Sequence, residues 1–358
     1  MNAPFLIARQ VLRQATLFDR DERARIEAFL ADHPGATPFH RPAWLEAVAR
    51  GTGNDAIVLI AERNQEIVGY LPFSEVHSPV FGRSLASTGF AVGGGLLVGD
   101  GAECDPIFAA AEELALRHSC PAIELRGGAL PRGRPGWMQR SDSHCGFIAD
   151  LAGDDEAQLQ AIPRKQRAEV RKSLAKDLDV EIGAAERDRA AHYAVYAESV
   201  RNLGTPVFPR SLFDATLDSF GDEADILTVR HQGTPVASVL SLYHRGAVMP
   251  YWGGGTGLAR PLRANDRMYY ELMLHARRRG CARFDFGRSK TGSGAYNFKR
   301  NWGFEPEPLT YASWTAPGAE QRDTDPTSAK HSLKIAIWRR LPLALANRLG
   351  PMISRGLG

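Results

Sequence analysis

MYYELMLHARRRGCARFDFGR, residues 268–288, reads as a helix with apolar positions at helical spacing, Met268, Leu272 and His275 among them, followed by a short apolar strand, RFDF. It has a counterpart in AAAEELALRHSCPAIELRG, residues 109–127, which sets Cys120 against Cys281 and Glu124 against Asp285 at an offset of 161. Two further pairs recur in the same order. FHRPAWLEAV from Phe39 matches FPRSLFDATL from Phe208, offset 169, and IVLIAERNQEIVGYLPF matches ILTVRHQGTPVASVLSL, with Val68 against Val236 at an offset of 168. A repeat about half the chain long is a duplicated domain, because a solenoid would repeat at a few tens of residues.

Each copy runs helix, strand, tight turn, strand, glycine-rich strand end, helix, strand. The turns are Asn64-Gln65 in one copy and Gln232-Gly233 in the other, each between apolar runs, which is a hairpin signal. Hairpin strands followed by a helix and one more strand predict an α+β unit with a mixed sheet, the order of an acyltransferase-type (GNAT) fold, here twice. The expected division is 1–155 for the N-terminal domain, 156–316 for the C-terminal one, and 317–358 for a linker and basic tail. The second domain opens on LQAIPRKQRAEVRKSLAKDLDVEI. Leu159, Ile162, Val170 and Leu174 fall on one face of a predicted helix; Arg164, Lys165, Arg167, Arg171, Lys172 and Lys176 take the rest, either as a solvated face or as one turned to an anion.

The net charge of +3 does not demand a nucleic-acid partner, but its distribution is uneven. After Asp325 there is no acidic residue, while Lys330, Lys334, Arg339, Arg340, Arg348 and Arg355 contribute positive charge. Cys104, Cys120, Cys145 and Cys281 stand apart with no C-x-x-C pair, so neither a zinc site nor a disulfide framework is expected, and reduced cytoplasm fits best. The first thirty residues lack the pattern of a secretory signal, and no apolar run approaches the roughly 18 to 20 residues that span a bilayer. In the tail, Leu333, Ile337, Leu341 and Leu345 recur at i+4 beside basic residues, with Pro342 expected to start a second short helix and Gly350-Pro351 to stop it. Such a segment either lies on an anionic membrane or caps the second domain.

PRKQRAEVRKSLAKDLDVEI (163–182), FDFGRSKTGSGAYNFKRNWGF (284–304) and PFHRPAWLEAV (38–48) resemble three segments of the FemAB-like aminoacyl/peptidyl transferases. These are a basic helix leading into a strand, a closing acidic-strand, glycine-turn and Phe-Lys motif, and a short aromatic motif early in the first domain. With the duplication, the resemblance covers residues 36 to about 312 and is nearest the branch associated with exosortase (PEP-CTERM) and exopolysaccharide systems. It implies tandem GNAT-like domains and transfer of an acyl or aminoacyl group from an activated carrier to an amine on a cell-envelope precursor. The helical arm that some of these proteins insert in the second domain has no counterpart here, and Arg288-Ser289-Lys290 stands where a second glycine is common.

Acyl transfer to an amine needs no metal and no protein nucleophile. It needs positioning, stabilisation of a developing oxyanion and a destination for one proton. Lys299, mounted between Phe298 and Arg300 with Trp302 as a second anchor, is the expected catalytic cation, and Asp285 the expected proton acceptor or orienting group. Arg288, Lys290, Tyr296 and Arg300 are expected at the substrate, as are Tyr251, Trp252 and Arg41, with core packing the alternative for Trp252. GGGTG at 253–257 is followed by no G-K-[ST] and is not a Walker loop. The Arg/Gln-x-x-Gly-x-Gly/Ala loop that grips acetyl-CoA is not found either. No tightly bound cofactor is expected. The donor is aminoacyl-tRNA or acyl-CoA, and the acceptor an anionic saccharide- or lipid-linked amine. Two rival expectations are an acyl-CoA-dependent amino-sugar N-acetyltransferase and a non-catalytic scaffold of the polysaccharide machinery.

Overall fold

The computed structural model describes residues 10–17, 19–78, 82–320 and 329–356. The chain forms two compact units, one from Met1–Arg140, Thr310–Asp323 and Arg355–Gly358, the other from Ser141–Leu309 and Thr324–Ser354. In chain order the first contains β1 (Val11–Gln14), α1 (Arg20–Asp32), α2 (Pro42–Thr52), β2 (Asp55–Arg63), β3 (Glu66–Ser78), β4 (Gly82–Ser87), β5 (Leu97–Val98), α3 (Cys104–Arg117) and β6 (Ala122–Arg126). The chain crosses to the second unit within β7 (Trp137–Gly146). That unit holds β8 (Ile148–Asp150), α4 (Asp155–Ala161), α5 (Arg164–Leu174), β9 (Asp179–Gly183), α6 (Glu186–Leu203) and α7 (Arg210–Phe220). There follow β10 (Ala224–His231), β11 (Thr234–His244), β12 (Ala247–Gly255), α8 (Ala259–Leu262), α9 (Ala264–Arg278), β13 (Arg283–Asp285), β14 (Ser289–Lys290) and α10 (Gly294–Asn301). Within β15 (Glu307–Thr315) the chain returns to the first unit, and α11 (Ala329–Arg340) and α12 (Leu343–Ser354) belong again to the second.

The repeat seen in the sequence is a repeat of topology. In the first unit α2 precedes the β2–β3 hairpin, β4 pairs antiparallel with β3, and α3 carries the chain to β6, parallel to β4. In the second unit α7 precedes the β10–β11 hairpin, β12 pairs antiparallel with β11, and α9 leads to β13, parallel to β12. Both hairpin turns place their central residues at positive φ: Asn64 at 52° and Gln65 at 66°, Gln232 at 49° and Gly233 at 75°. That geometry matches the strand twist. The second unit's sheet runs β8-β13-β12-β11-β10-β9.

Its core gathers Phe147, Val239, Met268, Leu272, Phe284, Phe286 and Trp302, all nearly inaccessible, with Val170 of α5 packed in from the helix side. The segment 159–176 is not one helix. Pro163 lacks the N–H that would continue α4, so α4 ends and α5 begins around it, and Leu174 is 38% exposed. Gly253, Gly254 and Gly255 lie where α6, β11 and α8 press on β12. A Cβ on Gly253 would sit 2.9 Å from Val239 Cγ2, and one on Gly254 would collide with Ser199 Oγ. These glycines serve close packing.

Candidate functional site

The segment behind RFDFG is built as a turn and a short helix. Gly292 takes a φ of 74°, which suits glycine, and the Ser293 side chain accepts from Tyr296 N at 3.2 Å to start α10. Phe298, Trp302 and Phe304 pack with Tyr269, Phe284 and Phe286 in an edge-to-face cluster, with Phe286–Phe304 centroids 5.0 Å apart. This clamp holds Lys299 on the last turn of α10 with its stem inside the unit and only 9% exposed. Its Nζ donates to the carbonyls of Gly287 at 3.1 Å and Arg288 at 2.9 Å, and sits 5.4 Å from the Phe147 centroid and 5.5 Å from that of Phe286. An ammonium has three N–H donors. Among the described residues two of them are used.

Burial pulls the Lys299 ammonium down to about 8, with the attraction of Asp285 opposing and the repulsion of Arg288 adding to the shift. Burial likewise pushes the Asp285 carboxyl up, against the Gly287 N–H that donates to it at 2.8 Å and the charge of Lys299. The acid and the base are both driven toward neutrality. A lysine that can hold or release a proton near neutral pH is matched to proton transfer. Asp285 also fixes the Gly287 turn whose carbonyl receives Lys299, so the two residues brace one loop from both sides.

The other expected residues divide into groups. Lys290 lies on β14, paired with His144 of β7, and Arg288 is half-buried just before it. Tyr296 meets Phe147 edge-on at 5.5 Å, beside Lys299, and Arg300 is exposed on α10. Tyr251 and Trp252 are on β12. Trp252 is 4% exposed against Phe213 at 4.8 Å and Phe208 at 6.3 Å, and Tyr251 stacks tilted on it at 4.9 Å. Arg41 belongs to the first unit, where it begins α2 and its Nε lies 3.5 Å from Glu27 Oε2. Sequence reasoning missed Phe147, the ring under Lys299, since it lies about 150 residues upstream in a short edge segment with no motif of its own.

A second feature lies at the start of α9. A groove of about 400 Å³ is lined by Lys172, Ala175 and Lys176, at and just beyond the end of α5, and by Pro261 and Arg263 before α9. Glu169 faces these cations, 2.8 Å from Lys172 Nζ and 3.0 Å from Arg263 Nε, and Asp266 on the first turn of α9 also acts on Arg263. The preceding loop spends its amides internally: Ala259 N on Thr256 O, Arg263 N on Arg260 O, and Gly257 N on the Glu198 side chain at 2.8 Å. A phosphate here would meet side-chain cations, with the first-turn amides of α9 beside them. Arg263 carried no signal in the sequence, because only the left-handed turn at its φ of 58° brings it to α5.

Two successive units of this topology make a tandem GNAT fold of mixed sheets flanked by helices. Residues 164–300 match the family model described as an acetyltransferase (GNAT) domain. No curated protein sequence matches the chain. Among solved structures, FemX is similar over 81% of this chain and 95% of its own at 14% identity and a TM-score of 0.63. A tandem GNAT protein from the clavulanic acid biosynthesis pathway covers 87% of this chain and 100% of its own at 12% identity and 0.59. The L-PGS of Bacillus licheniformis covers 90% and 98% at 13% identity and 0.51. Identities this low speak for the fold. Among the described residues no helix is long and apolar enough to cross a membrane, and no group of His, Cys, Asp and Glu side chains is placed to hold a metal ion.

Proposed function

We propose that the protein moves an aminoacyl or acyl group from an activated carrier to the amine of an anionic saccharide- or lipid-linked acceptor in cell-envelope or exopolysaccharide synthesis. It would do so in the cytoplasm, with peripheral contact to the inner membrane through its tail, in a system of the kind served by the PEP-CTERM-associated FemAB-like branch that its sequence resembles. The observation that carries this reading is Lys299: a buried ammonium in an aromatic frame, two donors fixed on carbonyls and a third left for a ligand. The acceptor nitrogen attacks the ester carbonyl, the C–N bond forms as the C–O bond to the carrier breaks, and the amine's proton passes to the leaving oxygen. Lys299 supplies positive charge to the oxyanion, and Asp285 holds the turn that aims it.

The groove of Lys172, Lys176 and Arg263 would take phosphates of the carrier. FemX and L-PGS, a lysyl-phosphatidylglycerol synthase, fit the same class of reaction. The alternative, acyl-CoA-dependent N-acetylation of an amino sugar, draws on the match of residues 164–300 to an acetyltransferase (GNAT) domain. Mass spectrometry of material retained by the purified protein identifies donor or acceptor, and calorimetry with CoA separates the two readings. With the transfer assay so defined, Lys299→Ala, folded by circular dichroism, should lose about 10²- to 10³-fold in turnover, the usual worth of an oxyanion donor. Near-wild-type turnover removes the mechanism.

A further inference from the structure

The tail helix α12 is packed inside out. Its inward stripe is Ala346, Gly350 and Ser354, small residues that are all buried, and while Leu343 and Ile353 are half-buried, three large apolar side chains look outward: Leu345 is 42% exposed, Leu349 37% and Met352 71%. The inward stripe is fastened to the α6–α7 loop. Ser354 Oγ donates to Val207 O at 3.0 Å, and Gly350 approaches Val207 so closely that a Cβ would lie 2.9 Å from its backbone nitrogen. α11 is tied to the end of α6 through Arg201 to the Arg339 carbonyl and Arg339 to the Leu203 carbonyl. A helix that only capped this unit would turn Leu345, Leu349 and Met352 inward, where their burial would be favourable. Spaced by four and three residues, they form one stripe, and exposed Arg348 lies within it, with Arg340 exposed just before the helix.

We propose that this outer face of α12 docks the protein on an anionic lipid bilayer. The proposal deepens the peripheral location stated above and rests on it for that location only. A bilayer surface offers both things the face asks for, an apolar layer for Leu345, Leu349 and Met352 and negative headgroups for the arginines. A second copy of the tail offers the apolar layer but not the negative charge: no acidic residue follows Asp325, so two such faces would bring only like charges together. Because the opposite stripe is bonded to Val207, docking would hold the α6–α7 loop, residues 204–209, about one helix diameter, ~10 Å, from the lipid surface. A lipid-linked acceptor would then be delivered to the second unit without leaving the membrane plane.

The test is co-sedimentation of the full chain with vesicles of phosphatidylglycerol and phosphatidylcholine, against phosphatidylcholine alone, at low ionic strength. Binding is expected on the anionic vesicles only. It should fall about tenfold in Arg348→Glu and at least tenfold in Leu349→Glu/Met352→Glu, both with unchanged thermal unfolding since the side chains are exposed. Retained binding in the Leu349/Met352 variant overturns the face while leaving peripheral location standing. Absence of binding by the wild type overturns both. A wild-type dimer that this variant dissolves, with no vesicle binding, assigns the face to a second copy and overturns the proposal. Transfer to a soluble acceptor, unaltered in the variant, separates these outcomes from failure of the reaction itself.

Discussion

Lys299→Met removes the buried ammonium but keeps most of the stem between Phe147 and Phe286, and it should erase one specific slope of stability against pH. The unfolded chain keeps this proton up to the ordinary lysine value of 10.5, whereas the folded protein releases it at about 8. Between these values the unfolded state binds more protons, so folding gains stability as pH rises; below about 8 the cost of burying the charge is fully present. At about 1.4 kcal/mol per pKa unit, the wild type should gain on the order of 2 to 3 kcal/mol from pH 7 to pH 10 relative to the variant. Urea unfolding of both proteins at pH 7, 8, 9 and 10 measures this directly, and the difference cancels the titration of other groups. Parallel profiles would show that Lys299 is solvated in the folded protein. That result would take away the desolvated cation on which the proposed chemistry depends.

Two other buried polar centres give independent checks on the second unit. His192 is fully buried, with Nδ1 3.1 Å from Ser238 Oγ and no partner at Nε2, and burial pulls its imidazole down to about 3. The unfolded chain takes a proton at its ordinary value of 6.5 that the folded protein refuses, so stability present above that value is lost as pH falls. Relative to His192→Leu, the wild type should lose about 3 kcal/mol between pH 8 and pH 4, and equal losses in urea unfolding would refute the burial of a neutral ring. Asp225 accepts the Tyr243 hydroxyl at 2.9 and 3.0 Å, with His275 Nε2 at 2.9 Å and Arg279 Nη1 at 3.3 Å. Asp225→Ala strands these groups and should cost about 3 kcal/mol in the same assay, while a loss under about 1 kcal/mol would mean that water replaces the carboxylate.

The fold was legible because its signals are local. Asn64-Gln65 and Gln232-Gly233 mark hairpins through turn chemistry, and Met268 and Leu272 mark the inner face of α9 by spacing alone; both are completely buried. The tail is less legible because what its apolar residues meet is not a local matter. Spacing groups Leu341 with Ile337 and Leu345 but does not bury them: Ile337 is 55% and Leu345 42% exposed, and Leu333 lies outside the residues whose side chains are described. Gly350-Pro351 does not end the helix either: α12 runs through Pro351 to Ser354, because the contacts of Gly350 and Ser354 with Val207 hold the last turn where propensity would break it. Spacing identifies which residues share a face and is silent on what that face meets.

The same distinction applies at Lys299. Residue types placed a cation on an aromatic mount behind a glycine turn, but a surface lysine on the last turn of α10 would have had the same sequence. What separates the two is the ring of Phe147, brought up by the segment that also forms β8, and the Gly287 turn held by Asp285. Phe147→Ala leaves every charge in place and opens one side of the frame to water. The ammonium should then regain solvation, its proton affinity should rise toward that of an ordinary lysine, and the pH slope between 8 and 10 should shrink together with transfer. If the slope disappears and transfer does not, Lys299 serves the stability of the Gly287 turn, and the cation that meets the oxyanion must be sought elsewhere on the unit.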